Sequence, residues 1–296
     1  IDKPDSANAS LPREWLLLEL RDAWQVSGPT HAAGSLLACR LEPFLAGERT
    51  FDVLFAPTER SSLAGFAPPR NHILLNVLDN VKNRVSVLTH EAGEWRNEPL
   101  PGLPEFGTIN VSAIDDEVGD DYWVTITDYL TPTSLHIGTV GKGPATLLKS
   151  MPTFFDAAGL TVSQHEARSA DGTRVPYFLV ASKDVKRDGT NPTLLYGYGG
   201  FEVSMTPGYS GGVGSCWLTK GGVYAVANIR GGGEFGPRWH QAALKQNRNK
   251  CYEDFAAVAE DLIQKKITSP AHLGIQGGSN RGLLMGHMLT SYPHQF

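Results

Sequence analysis

Between residues 193 and 292, short apolar runs that end in glycine alternate with stretches of helical period. That alternation leaves few folds open to the second half of the chain. "TLLYGYGG" (193–200) and "GGVYAVANIRGGG" (221–233) are short, apolar and rich in glycine at their ends, and each reads as a buried strand. Phe255, Val258, Ala259, Leu262 and Ile263 then recur at i, i+3, i+4, i+7 and i+8, one face of an amphipathic helix. "LGIQ" (273–276) is a further strand and "RGLLMGHMLTSY" (281–292) a further helix. Strands that alternate with helices build a mostly parallel sheet. Ahead of them, "LTVSQHEA" (160–167) and "RVPYFLVAS" (174–182) flank "RSADGT", where Asp171-Gly172 signals a hairpin turn.

Residues 1–150 follow a different pattern. "WLLLEL" (15–20) reads as a buried strand interrupted by charge. "NHILLNVLDN" (71–80) and "RVSVLTHE" (84–91) are apolar runs joined by a polar step at Val81-Lys82-Asn83. "TINVSAI" (108–114), "DYWVTITDYL" (121–130) and "SLHIGTV" (134–140) come next, rich in β-branched and aromatic residues. No long helical period occurs, so this half predicts an all-β sandwich, barrel or propeller. The boundary falls near Ser150-Met151-Pro152.

The charge balance narrows function. Lys plus Arg number 26 against 31 Asp plus Glu. No cationic surplus exists to neutralise phosphates, which argues against a nucleic-acid partner. No apolar run reaches membrane-spanning length, so no membrane partner is expected. Cys39, Cys216 and Cys251 are scattered without metal-site spacing and predict small buried hydrophobes, with neither disulfide nor metal.

Three glycine-rich turns carry the chemistry. In "IRGGGEFG" (229–236), Gly231, Gly233 and Gly236 match the dinucleotide pattern G-x-G-x-x-G. Pro237 and a polar stretch stand where a helix should start at once, so a glycine loop with positive φ is the rival reading. In "GIQGGSNRG" (274–282), a strand runs through Gly277 and Gly278 into Ser279 and then a helix. This is the pattern of a nucleophile elbow, which holds a serine in an uncommon backbone conformation and projects its hydroxyl. The N–H of Asn280 would then point at a developing oxyanion. Small residues are needed on either side of the serine. Gly277 supplies one, Arg281 interrupts the other, and Gly282 arrives one place late. The third turn, "LLYGYGGF" (194–201), carries tyrosines at a strand end that could donate a phenolic O–H.

In this order and spacing, "LLYGYGGF", "GGVYAVANIRGGGEFG", "CYEDFAAVAEDLI" and "LGIQGGSNRGLL" closely resemble the prolyl oligopeptidase family of serine peptidases. The resemblance implies incomplete all-β propeller blades over 1–152, the C-terminal part of a β-propeller. It implies the N-terminal part of an α/β-hydrolase domain with a mostly parallel sheet over 153–296. It carries the nucleophile to Ser279, the oxyanion N–H and part of the proline pocket to Asn280, and the side-chain oxyanion donor to Tyr198. Phe201 takes the role of an aromatic lining the substrate subsites. The family usually has glycine where this chain has Arg281. The implied substrate is a short, proline-containing peptide, cut without cofactor or metal.

In α/β-hydrolases an Asp or Glu and then a His come after the serine. After Ser279 there is no Asp or Glu, and His287 and His294 lie in or just beyond the adjoining helix. The chain therefore reads as truncated at both ends and inactive alone, lacking the triad's acid and base. The expected compartment is the cytoplasm, with the periplasm as the alternative if a leader preceded Ile1. Rival readings are a binding module disabled at Arg281, an esterase or aminopeptidase on the same fold, and a nucleotide-dependent enzyme using 231–236.

Overall fold

The computed structural model describes residues 2–296, apart from the side chains of Asn280 and Arg281. The chain divides into two compact units. The first comprises residues up to 126, 134–150 and 235–238; the second comprises 127–133, 151–234 and 239–296.

The first unit contains β1 (Asn8–Ser10), β2 (Trp15–Glu19), β3 (Trp24–Gln25), β4 (Thr30–His31), β5 (Leu36–Arg40), the short helix α1 (Leu41–Leu45) and β6 (Asp52–Phe55). After them come β7 (Ser61–Ala67), β8 (His72–Asp79), β9 (Lys82–Glu91) and β10 (Glu94–Pro99), then β11 (Thr108–Ala113), β12 (Asp121–Thr127), β13 (Ser134–Thr139) and β14 (Thr146–Ser150). These form three four-stranded sheets, β1-β2-β5-β6, β7-β8-β9-β10 and β11-β12-β13-β14, with β3 and β4 as a separate ribbon.

Period two decides how the sheets pack. Trp15 and Leu17 of β2, with Leu36 and Ala38 of β5 and Leu54, meet Ile73, Leu75 and Leu88 of the second sheet. The alternate residues Leu16, Leu18, Leu37 and Cys39 face the other way, onto Ala7, Leu20 and Phe44. Both faces of β2 are thus covered, which is why its run is apolar without alternation. Ala67, Leu74 and Val85 of the second sheet likewise pack on Ile109, Tyr122 and Val124 of the third. Successive sheets therefore stack face to face, as propeller blades do.

The step between β8 and β9 differs from the one expected. The turn is the two-residue loop Asn80-Val81, with φ of 50° and 66°, and Lys82 and Asn83 already belong to β9. A tight hairpin whose two central residues both have positive φ matches the twist of its strands. Val81 tolerates this conformation while fully buried.

The second unit contains β15 (Leu160–Arg168), β16 (Arg174–Ser182), β17 (Thr193–Gly197), α2 (Gly211–Cys216), β18 (Val223–Ala227), α3 (Pro237–Gln241, begun in the first unit), α4 (Asn249–Gln264), β19 (Leu273–Gln276) and α5 (Asn280–Ser291). The sheet order is β15-β16-β18-β17-β19. β15, β16 and β18 pair antiparallel, whereas β18, β17 and β19 pair parallel, so β16 runs against the other four. Cys251, Phe255, Val258, Ala259 and Leu262 of α4 are fully buried against this sheet, with Leu284 and Met288 of α5 in the same core. Of the cysteines, Cys39 and Cys251 are buried, but Cys216 is exposed. It ends α2, a six-residue helix in which only Gly214 is buried.

Candidate active site

Ser279 stands between β19 and α5, with φ of 56° and ψ of −129°. A non-glycine residue held there costs roughly 1–3 kcal/mol. The conformation reverses the chain from strand to helix within the Gly277-Gly278-Ser279 step. The Ser279 side chain is exposed and makes no cap hydrogen bond to the helix it begins. Its carbonyl accepts from the Gly282 N–H at 2.8 Å, so the main chain alone starts the helix. A methyl group at Gly282 would meet no heavy atom of the described residues within 4 Å beyond its own turn, and the crowding expected at Arg281 falls on a side chain outside them. The side chains of Asn280 and Arg281 lie outside the described residues.

Sheet register sets the neighbourhood. β17 and β19 pair in parallel through Tyr196 and Gln276. Tyr198 comes two residues after Tyr196, and Ser279 three after Gln276. Both therefore leave the carboxyl ends of adjacent strands, where ligands bind in sheets of this type. Tyr198 is half-buried, and its ring stacks with that of Phe201 at 6.5 Å between centroids. Phe201 is 74% exposed. Phe201 and Glu202 adopt φ of 50° and 56°.

The loop carrying them is seated on Gly231 and Gly233. The Glu202 N–H donates to the Gly231 carbonyl at 3.2 Å. His240 Nδ1 lies 2.7 Å from that carbonyl and 3.2 Å from the Glu202 nitrogen, so its tautomer decides whether it donates or accepts. A methyl group at Gly231 would lie 2.4 Å from the Gly199 oxygen, and one at Gly233 would lie 2.2 Å from the Glu202 oxygen. The spacing that resembled a nucleotide cradle is thus filled by this chain's own backbone. The next helix, α3, has five residues.

Sequence reasoning missed the charged residues beneath this loop. Arg230 is 4% exposed, and its Nε and Nη2 donate to the fully buried Asp254 at 2.9 and 2.6 Å. Arg230 Nη1 donates to Asp171 at 2.5 Å, and Nη2 to Ser169 Oγ at 3.1 Å. These bonds hold the Asp171 carboxyl well below the usual carboxylate range. The Asp171-Gly172 signal marked the turn correctly, with Gly172 at φ of 84°, but gave no hint of a buried arginine partner. Glu234, 1% exposed, accepts from the Met205 N–H at 2.9 Å and from Asn228 at 3.3 Å. Burial pushes its carboxyl up to about 7, against those hydrogen bonds.

Four of the histidines make aromatic ring contacts. His287 stacks on Tyr252 at 4.0 Å, and His294 lies 6.4 Å from the ring of Tyr292. His165 is hydrogen-bonded to Ser163 Oγ at 2.8 Å and sits on Tyr177, with burial pushing it below its ordinary value. His90 packs edge-on between Trp15 and Trp95. Among the described residues no cluster of three His, Cys, Asp or Glu side chains could hold a metal ion, and no helix is long and apolar enough to cross a membrane.

Several known proteins are similar to this chain. The family model described as the prolyl oligopeptidase family matches residues 213–296. An uncharacterized peptidase of Sinorhizobium fredii is 47% identical over 277 residues, covering 93% of this chain and 38% of that protein. A prolyl endopeptidase of Elizabethkingia miricola is 36% identical over 198 residues, 67% of this chain and 27% of that protein. The solved structure of a post-proline cleaving enzyme from Rickettsia typhi superposes with a TM-score of 0.91 at 34% identity, over 100% of this chain and 43% of that one. The chain spans about two fifths of the length of the curated relatives that match it most fully.

Proposed function

Because this chain belongs to the prolyl oligopeptidase family, we propose that the protein carrying it is a serine peptidase that cuts short peptides after proline through an acyl-enzyme on Ser279. The observation that carries this reading is the backbone at Ser279, a strained strand-to-helix turn with an exposed, uncapped hydroxyl beside the strand that leads into Tyr198.

In this mechanism Ser279 Oγ gives its proton to a base and attacks the scissile carbonyl. Negative charge gathers on the carbonyl oxygen, where the Tyr198 phenol and the Asn280 N–H donate hydrogen bonds. Donors fixed in advance stabilise that charge without reorganising as it forms. The base then protonates the leaving amine, and water releases the acyl group by the reverse sequence. Phe201, exposed and stacked beside Tyr198, offers an apolar surface to the substrate.

None of the histidines of these 296 residues takes the base's role in this reading. His287 and His294 are held in aromatic contacts with Tyr252 and Tyr292. The 296 residues on their own are accordingly expected to hydrolyse proline peptides negligibly.

A fluorophosphonate probe applied to the protein that carries this chain tests the proposal. Labelling at Ser279, abolished by Ser279→Ala and by preincubation with a proline peptide, is expected. Labelling elsewhere, or none in a protein that cleaves such peptides, overturns it.

A further inference from the structure

Arg248 sits at the start of α4, a helix with no acidic residue in its first turn. A cation at a helix N-terminus opposes the helix dipole, so helix stability does not account for it. Its guanidinium reaches the loop that follows β17. Nη1 donates to the Gly199 carbonyl at 2.5 Å, while Nη2 is buried without a hydrogen-bond partner among the described residues. The guanidinium carbon lies 5.5 Å from the centre of the Tyr252 ring, within range of a cation–π contact.

Gly199 is the residue after Tyr198, and Arg248 is not the only side chain that holds it. Its carbonyl also accepts from Cys251 Sγ at 3.6 Å. Burial pushes that thiol up to about 12, which keeps it protonated as a donor. Gly199 has φ of 58°, and a methyl group on it would lie 2.6 Å from Cys251 Sγ and 2.7 Å from Ile229. The Tyr252 ring under Arg248 stacks on His287 of α5, the helix that Ser279 begins. A continuous run of contacts therefore joins the two loops: α5, His287, Tyr252, Arg248, Gly199, Tyr198.

Resting on the reading of Ser279 and Tyr198 given above, we propose that Arg248 is a positioning residue that fixes the Tyr198 phenol for the oxyanion by holding the Gly199 carbonyl and referring it to the helix of the nucleophile. Tyrosine is a long side chain, so a small rotation of the 198–199 peptide is multiplied at the phenol oxygen. A misplacement near 1 Å costs on the order of 100-fold in rate.

The test is a double-mutant cycle on the protein that carries this chain, read with a proline-containing chromogenic peptide. Arg248→Met is expected to lower kcat about 10-fold or more with KM changed less than about 2-fold, a fraction of the full misplacement penalty. In a Tyr198→Phe background the same substitution is expected to change kcat less than about 2-fold, because the group it positions is gone. Arg248→Lys, which keeps one donor and the charge, is expected to recover part of kcat. An equal loss from Arg248→Met in both backgrounds, or a loss confined to KM, overturns the proposal. If Arg248→Met does not fold, Arg248→Lys is read by the same criteria in both backgrounds. Failure of the underlying reading looks different: Tyr198→Phe alone would then leave kcat unchanged.

Discussion

The two units hold residues in the same unfavourable backbone region and use them differently. In the first, Ser27, Asn80, Val81 and Ala92 have positive φ, and each lies in a tight turn between sequence-adjacent strands. There the strain is local and serves to close a hairpin. In the second, Phe201, Glu202 and Ser279 have positive φ beyond the carboxyl ends of β17 and β19. No hairpin is closed at those positions. The strain instead turns side chains outward from the end of a parallel pair, and the surrounding backbone holds it in place. The role of a positive φ thus depends on the next element of the chain: a returning antiparallel strand in one case, a helix or a glycine-braced loop in the other.

Substitutions that separate strain from chemistry sharpen this comparison. Ser279→Ala is expected to lower kcat by on the order of 10⁶-fold, as removal of a serine nucleophile does, with little change in melting temperature. Retained activity would place Ser279 with the hairpin residues. Next in size, Arg230→Met leaves Asp254 buried and uncompensated, and denaturant unfolding should register a loss of about 3–5 kcal/mol. No substitution at an exposed hairpin residue of the first unit should approach that. Tyr198→Phe should lower kcat by on the order of 10²–10³ with KM nearly unchanged.

The fourth effect is one of pH. Glu234 is held up to about 7, against 4.5 for an ordinary glutamate. The folded state keeps this proton where the unfolded chain has lost it. Stability from this group is therefore complete below 4.5, declines as pH rises toward about 7, and is level above that. Urea unfolding at pH 5 and pH 8 should show a decline smaller by about 2 kcal/mol in Glu234→Gln. An unchanged decline would contradict the burial argument. Asp171 acts in the opposite sense, losing its contribution only as pH falls below the usual carboxylate range, outside this window.

The smallest effect compares the two uses of strain directly. Glycine relieves positive φ, so Ala92→Gly and Ser279→Gly should each stabilise by about 1 kcal/mol, while only the second abolishes activity. Stabilisation at Ala92 alone would mean that the elbow is not strained.

Much of this architecture was legible because local pattern and tertiary role agree. β8, β9, β16 and β19 carry their apolar residues where the sheets bury them, and α4 keeps its helical face throughout. β10 and β14 gave no such signal, since they are largely exposed strands at sheet edges, defined by a partner on one side. The hairpin turn falls at Asn80-Val81 and not at the Val81-Lys82-Asn83 step its polarity suggests, because a valine seldom occupies positive φ. At the site, Ser279, Tyr198 and Phe201 stand in short glycine-rich motifs that constrain local geometry. Arg230, Glu234, Arg248 and Asp254 stand in no such motif, because each takes its meaning from partners elsewhere in the chain. Arg230 meets Asp254 across 24 residues and Asp171 across 59. Arg248 meets Gly199 across 49.

The most direct measurement is a crystal structure of the protein carrying this chain, trapped with a peptide aldehyde that ends in prolinal. The account predicts a hemiacetal bond from Ser279 Oγ, with the new oxyanion about 2.7–3.1 Å from the Tyr198 phenol oxygen. An adduct on another residue, or an oxyanion beyond hydrogen-bond reach of Tyr198, would contradict it.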